Sequence, residues 1–156
     1  MGISGFKKIF DAIANKSGWN AVKGGWVRAS SVSDECIVSI DIQKSNHSKR
    51  FYVNMNIYVQ DAFGRRFDHD LDVTNTVSTA FRRSPKEFDD VFDLTSFLAD
   101  DERKGRIVNF FSFLEHFAQM ARTRCGLLYL AENREIHLIA GVREEVERLV
   151  KSQTRC

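Results

Sequence analysis

From Phe51 to Gln60 the chain alternates without a break: Phe51, Val53, Met55, Ile57 and Val59 are apolar, while Tyr52, Asn54, Asn56, Tyr58 and Gln60 are polar. A period of two sends successive side chains to opposite faces of a β-strand, so this run belongs in a sheet with one face buried. The run CIVSIDIQK before it sets Cys36, Val38, Ile40 and Ile42 against Ile37, Ser39, Asp41 and Gln43. The loop that joins the two runs is too short for a parallel crossover, so they pair antiparallel. Upstream, WNAVKGGWVRAS places Gly24-Gly25 between two shorter runs, as in a tight hairpin turn. Downstream, FDHDLDV alternates again, with Phe67, His69, Leu71 and Val73 opposite Asp68, Asp70 and Asp72, and is expected to add a strand. Residues 74 to 83, rich in Thr, Val and Phe, are a weaker strand candidate.

Helical spacing brackets these strands. Phe6, Ile9, Phe10, Ile13 and Ala14 follow Ser4, a candidate N-cap, and Gly18 sits where a C-cap glycine belongs. SPKE at 84 to 87 has the form of a capping box with Pro at the first helical position. Ile107, Phe110, Phe111, Leu114, Phe117, Ala118 and Ala121 form an apolar stripe that Val108, Phe113 and Met120 widen, a face broad enough to require burial across the sheet. Residues 126 to 140 hold the runs LLYL and IHLI, for which period alone leaves hairpin and helix both open. After Gly141, Val142, Val146, Leu149 and Val150 mark a last helix. The order predicts one α+β domain over residues 1 to 156: an antiparallel meander preceded by one helix and packed against C-terminal helices. Its 156 residues and thirteen Phe supply the core that one such domain needs.

Residues 6 to 60 resemble a bacterial family catalogued as domain of unknown function 4304. The leading amphipathic helix, GW…KGGWVR, IDIQKSN and RFYVNMNIYV carry the likeness, above all through Gln43, Lys44, Ser45, Phe51, Tyr52, Asn54 and Tyr58. The resemblance implies an α+β domain and brings with it no catalytic residues.

The polar row is the first candidate site. Tyr and Asn combine contact area with adaptable hydrogen bonding, as in paratopes. Tyr52, Asn54, Asn56 and Tyr58, with Gln43 and Lys44 at the neighbouring strand end, are therefore candidates for partner binding. The bland alternative puts this row under the C-terminal helices, its amides satisfying local backbone. Lys44, His47, Lys49 and Arg50 form a basic loop suited to an acidic partner or to solvent, and Tyr52 and Tyr58 with Arg28, Lys44 and Arg50 give a weak basic-aromatic pattern of the nucleic-acid type. Asp68, Asp70 and Asp72 are read as an acidic row that meets a partner or nearby Arg65 and Arg66. They are not read as a metal site, because alternate strand residues stand about 7 Å apart and Val73 and Thr79 occupy the positions where a calcium loop wants Gly and Glu.

No catalytic constellation is recognisable: His47, His69, His116 and His137 are scattered, His69 reads as a buried structural histidine, Cys36 faces the core beside Val38, and no Gly-rich phosphate loop occurs. No cofactor is expected. Three cysteines without paired spacing suit a reduced, cytoplasmic protein, and no run reaches the length of a membrane helix. The formal charge of +2 conceals segments of opposite sign: ten basic against five acidic residues in 1 to 67, three against ten in 68 to 102, ten against six in 103 to 156. Such segments either face one another or present an acidic surface to a basic partner. The expected function is partner binding, most concretely as an immunity protein that inhibits a bacterial toxin. A nucleic-acid-associated module and an undetected hydrolase are the alternatives.

Overall fold

The computed structural model describes every residue except Val32, Thr154 and Arg155. Helix α1 (Ile3–Lys16) leads into strands β1 (Trp19–Val22), β2 (Gly25–Arg28), β3 (Cys36–Lys44), β4 (Phe51–Val59) and β5 (Ala80–Arg83). The short α2 (Asp89–Phe92) then precedes α3 (Asp100–Ala121), α4 (Arg124–Glu132) and α5 (Ala140–Gln153). The arrangement is α+β, with an antiparallel sheet of order β1-β2-β3-β4-β5.

The longest pairing is the one the alternation demands. β3 and β4 match over nine residue pairs, from Cys36↔Val59 to Lys44↔Phe51. That register puts Val38, Ile40, Val53, Met55 and Ile57 on one face, where they are buried against the helices. Phe6 and Phe10 of α1 and Phe110 and Phe111 of α3 meet them there, with Phe6 stacked on Phe51 at 4.8 Å and Phe92 edge-on to Phe110 at 5.0 Å. Aromatic pairs at these separations add to their area burial.

The β1–β2 turn needs its glycine twice over. Gly24 has φ +84°, and a Cβ there would lie 2.2 Å from Thr74 Oγ1. Thr74, whose amide nitrogen lies 2.8 Å from the same Cβ position, supplies the second constraint.

Local predictions failed where tertiary contacts competed with them. Helix α1 starts at Ile3 with Gly2 as its N-cap, so Ser4 lies inside it. The Met1 amine, paired with Asp100 at 3.3 Å, ties the chain start to α3. At 84 to 87 a short helix does open, as a 3-10 turn over Lys86–Phe88 that runs into α2, but its N-cap is Pro85, no side-chain cap bond forms, and the Ser84 amide donates to Val53 of β4. The open question at 126 to 140 resolves as α4 followed by irregular chain, with Ile136 and Leu138 buried. Gly141 falls in the first turn of α5 rather than before it. Val108 is exposed on α3, outside the buried stripe.

Two predictions about cysteine and histidine also change. Cys125 and Cys156 are joined by a disulfide, with Cα atoms 5.4 Å apart, where three reduced thiols were expected. Cys36 is free and buried as predicted, and burial raises its thiol pKa. His69 is exposed and pairs through Nδ1 with Ser30 Oγ at 2.8 Å, because residues 67 to 73 are not a strand.

Candidate functional site

Residues 67 to 73 form a strap across the polar face of the sheet. The Gln60 amide holds its start, donating from Nε2 to the Phe67 carbonyl and accepting the Phe67 N–H at Oε1, both at 2.8 Å. Its far end reaches the β1–β2 turn, where the Val73 amide donates to Lys23 O at 2.9 Å and Lys23 pairs with Asp72 at 3.2 Å. Phe67, Leu71 and Val73 alternate as strand residues would, but they plug into Val27, Ile37 and Tyr58 instead of joining the ladder. This makes a second, smaller hydrophobic core on the face opposite the helices.

The predicted recognition row is therefore divided. Tyr58 is 0% exposed, packed on Phe67 with ring centroids 5.3 Å apart, and so belongs to this core and to no partner surface. The strap covers it, and not the C-terminal helices. Burial raises the Tyr58 phenol pKa, a shift that the hydrogen bond from Ser39 Oγ, at 3.2 Å, only partly offsets. Asn56 and Ser39 are also buried. Asn56 Nδ2 donates to Asp41 Oδ2 at 2.9 Å and to Ser39 Oγ at 3.3 Å, satisfying the middle of the row internally.

The other end stays open. Asn54 donates to the second Asp41 oxygen at 2.9 Å, so each carboxylate oxygen takes one amide hydrogen and Asp41 is held rigidly. Gln43 pairs with Tyr52 across the ladder, and β5 brings Arg83 opposite Asn54 and Phe81 opposite Asn56. Two guanidinium groups flank the Tyr52 ring, Arg83 at 4.4 Å and Arg50 at 5.3 Å from its centroid. Arg50 is itself anchored to Asp89 at 2.9 Å. Gln43 and Lys44 are exposed, Tyr52 and Asn54 half-buried, and Phe81 is 58% exposed. The result is a pre-organised patch of one aromatic ring, amides, a fixed carboxylate and two cations.

The acidic row contributes less than the charge count implied. Asp72 is taken up by Lys23 and by the Thr74 and Asn75 amides, and its hydrogen bond from Asn75 is the main cause of its lowered pKa. Asp68 and Asp70 are exposed on the strap. Farther along the acidic segment, Asp89 pairs with Arg50, Asp90 with Arg106 and Asp100 with the Met1 amine. Much of the charge alternation is thus neutralised inside the domain. Among the described residues, no group of three or more His, Cys, Asp or Glu is placed to hold a metal ion.

Sequence reasoning missed Arg83 and Phe81, because their place beside Asn54 and Asn56 depends on the β4–β5 register. It also missed two buried arginines. Arg103 donates to the carbonyls of Asp90, Val91 and Asp93 and to Ser96 Oγ, fastening the α2–α3 connection. Arg124 donates to Gln153 Oε1 and Gln60 O at 2.5 and 2.8 Å, joining α5 to the end of β4. No helix among the described residues is long and apolar enough to cross a membrane. No known protein family model, curated protein or solved structure matches this chain.

Proposed function

We propose that the chain is a small binding protein and, most specifically, an immunity protein that binds a bacterial toxin effector and inhibits it. The observation that carries this reading is the open end of the polar face. Tyr52 offers an aromatic anchor already fixed between Arg50 and Arg83, and Gln43 and Asn54 offer hydrogen bonding beside it. Pre-organised aromatic and arginine side chains are the usual energetic centres of protein interfaces. The likeness of residues 6 to 60 to family 4304 belongs to the same proposal and concerns architecture only. This reading puts the protein in the cytoplasm, where the thiol pool works against the disulfide between Cys125 and Cys156.

A nucleic-acid partner is the second reading, favoured by the two guanidinium groups on one aromatic ring. Salt separates the two. Binding to phosphates loses affinity steeply with salt, in proportion to the number of contacts.

The test is rescue of a toxin-producing cell by co-expression, paired with binding measurements on the purified complex. Tyr52→Ala is expected to weaken binding by about 2 kcal/mol or more, as truncated aromatic anchors do, and to abolish rescue with an unchanged melting temperature. A Tyr52→Ala protein that binds and protects as well as the parent overturns the reading.

A further inference from the structure

β5 ends the sheet, and among the described residues no strand pairs with its outer side. The Ser84 amide donates to Val53 O at 2.9 Å, and the register sets Arg82 opposite Met55 and Ala80 opposite Ile57. Alternation then turns the backbone groups of Ala80 and Arg82 toward β4 and those of Phe81 and Arg83 outward, where the Arg83 carbonyl accepts from the exposed Arg82 Nε at 3.2 Å. Alongside runs a groove of about 440 Å³ between Thr79, Ala80 and Arg82 on one wall and Leu138, Ile139 and Val142 on the other. Phe81 and Ile139 stand 58% and 63% exposed at its margins. An exposed edge with an apolar margin is the kind of surface that proteins otherwise blunt or cover.

We propose that this edge receives one extended segment of a protein partner as a sixth strand, with apolar side chains in the groove and acidic side chains beside Arg83. The proposal rests on reading the chain as a binding protein and specifies how the partner is held. Backbone pairing to an open edge supplies affinity, and alternate side chains supply specificity. Charge selects the occupant. Arg82 lies against Phe113 and Phe117 at 5.7 Å and donates to Glu135 O, and Arg83 lies over Tyr52. Neither arginine forms a salt bridge among the described residues. Pairing β5 with β5 of a second copy would crowd four guanidinium groups into one short ribbon, where like charges repel. A strand that alternates Glu with Val satisfies both sides of the edge.

Fluorescein-labelled peptides of alternating Val and Glu, and of alternating Val and Lys, are titrated with the full chain and followed by anisotropy. Saturable binding of the Val/Glu peptide is expected, with the Val/Lys peptide weaker by about tenfold or more. Phe81→Pro removes an outward N–H and leaves the ladder to β4 intact, a substitution that edges tolerate. Ile139→Glu places a like charge on the exposed margin without touching the sheet. Each variant is expected to weaken the Val/Glu peptide by about tenfold, with the Ile139→Glu protein keeping the parent's melting temperature. Equal affinity for the two peptides, no saturation with either, or full binding by both variants overturns the proposal. So does a dimer in sedimentation that Phe81→Pro dissolves, since the occupant is then a second copy. With a toxin in hand, loss of binding in Tyr52→Ala alone, with both edge variants normal, sinks the sixth strand and leaves the binding reading intact.

Discussion

Tyr52 and Tyr58 lie on the same side of β4, and their surroundings assign them opposite roles. Tyr58 fills the small core under the strap, so Tyr58→Ala is expected to destabilise the domain by about 3 to 5 kcal/mol, the range for a truncated buried aromatic. Tyr52→Ala should leave urea midpoints within about 0.5 kcal/mol of the parent, as surface changes do. Equal losses at the two positions in urea titration would mean that the strap does not separate them. Arg103 makes a different case at this scale, since its guanidinium satisfies three carbonyls around α2. Arg103→Leu keeps a hydrophobic stem but orphans these acceptors, at about 1 to 3 kcal/mol for each buried group left unmade. A total loss of roughly 3 kcal/mol or more is expected, read from denaturant titration. A loss below about 1 kcal/mol would show that water replaces the arginine.

Among the elements, β2 and α3 are bridged by one bidentate pair, Arg28 Nε and Nη2 to Glu115 at 2.7 and 2.8 Å. The hydrogen bond from Arg28 is the main reason the Glu115 pKa lies below its ordinary 4.5. A carboxyl whose folded pKa is depressed contributes its full stabilisation above the unfolded value. It loses that stabilisation as pH falls through the folded pKa. Glu115→Gln should therefore lower the melting temperature modestly at pH 7 and leave the parent and variant converging as pH drops below about 4.5. Melting curves between neutral and acid pH check the sign. A difference that grows on acidification would assign the bridge no role. The strap is held by Gln60 at one end and by Lys23 and Asp72 at the other.

For the whole molecule, the bond between Cys125 and Cys156 closes a chain segment with a sequence separation of 31 and ties the C-terminus to the start of α4. Chain-entropy arguments give such a closure about 2 to 4 kcal/mol. Cys156→Ser compared with the parent under oxidising conditions, or reduction of the parent, is expected to lower stability by about that amount. The variant should be insensitive to reductant. Calorimetry with and without reductant measures it, and identical melting of oxidised and reduced parent would contradict a structural role. The packing of α1, α3 and α5 about the sheet does not depend on this bond, because it rests on residues such as Phe6, Phe110 and Val146.

The alternation in 36 to 43 and 51 to 60, the stripe in 107 to 121 and the glycines at 18 and 24 were enough to determine an antiparallel meander with helices on one face. Each of these is a local periodicity or turn preference, which a chain carries regardless of what it later touches. The same rule misread 67 to 73. Phe67, Leu71 and Val73 alternate because they face a sheet, and alternation cannot distinguish a strand within a sheet from a strap lying over one. Which half of the polar row remained open was decided by that strap, together with the β4–β5 register that delivers Arg83 and Phe81 beside Asn54 and Asn56. The Cys125–Cys156 pairing likewise required the C-terminus to return to α4. Contacts between residues far apart in the chain leave no period in the sequence. The strip around Tyr52 and the free edge of β5 therefore emerge only when the chain is folded.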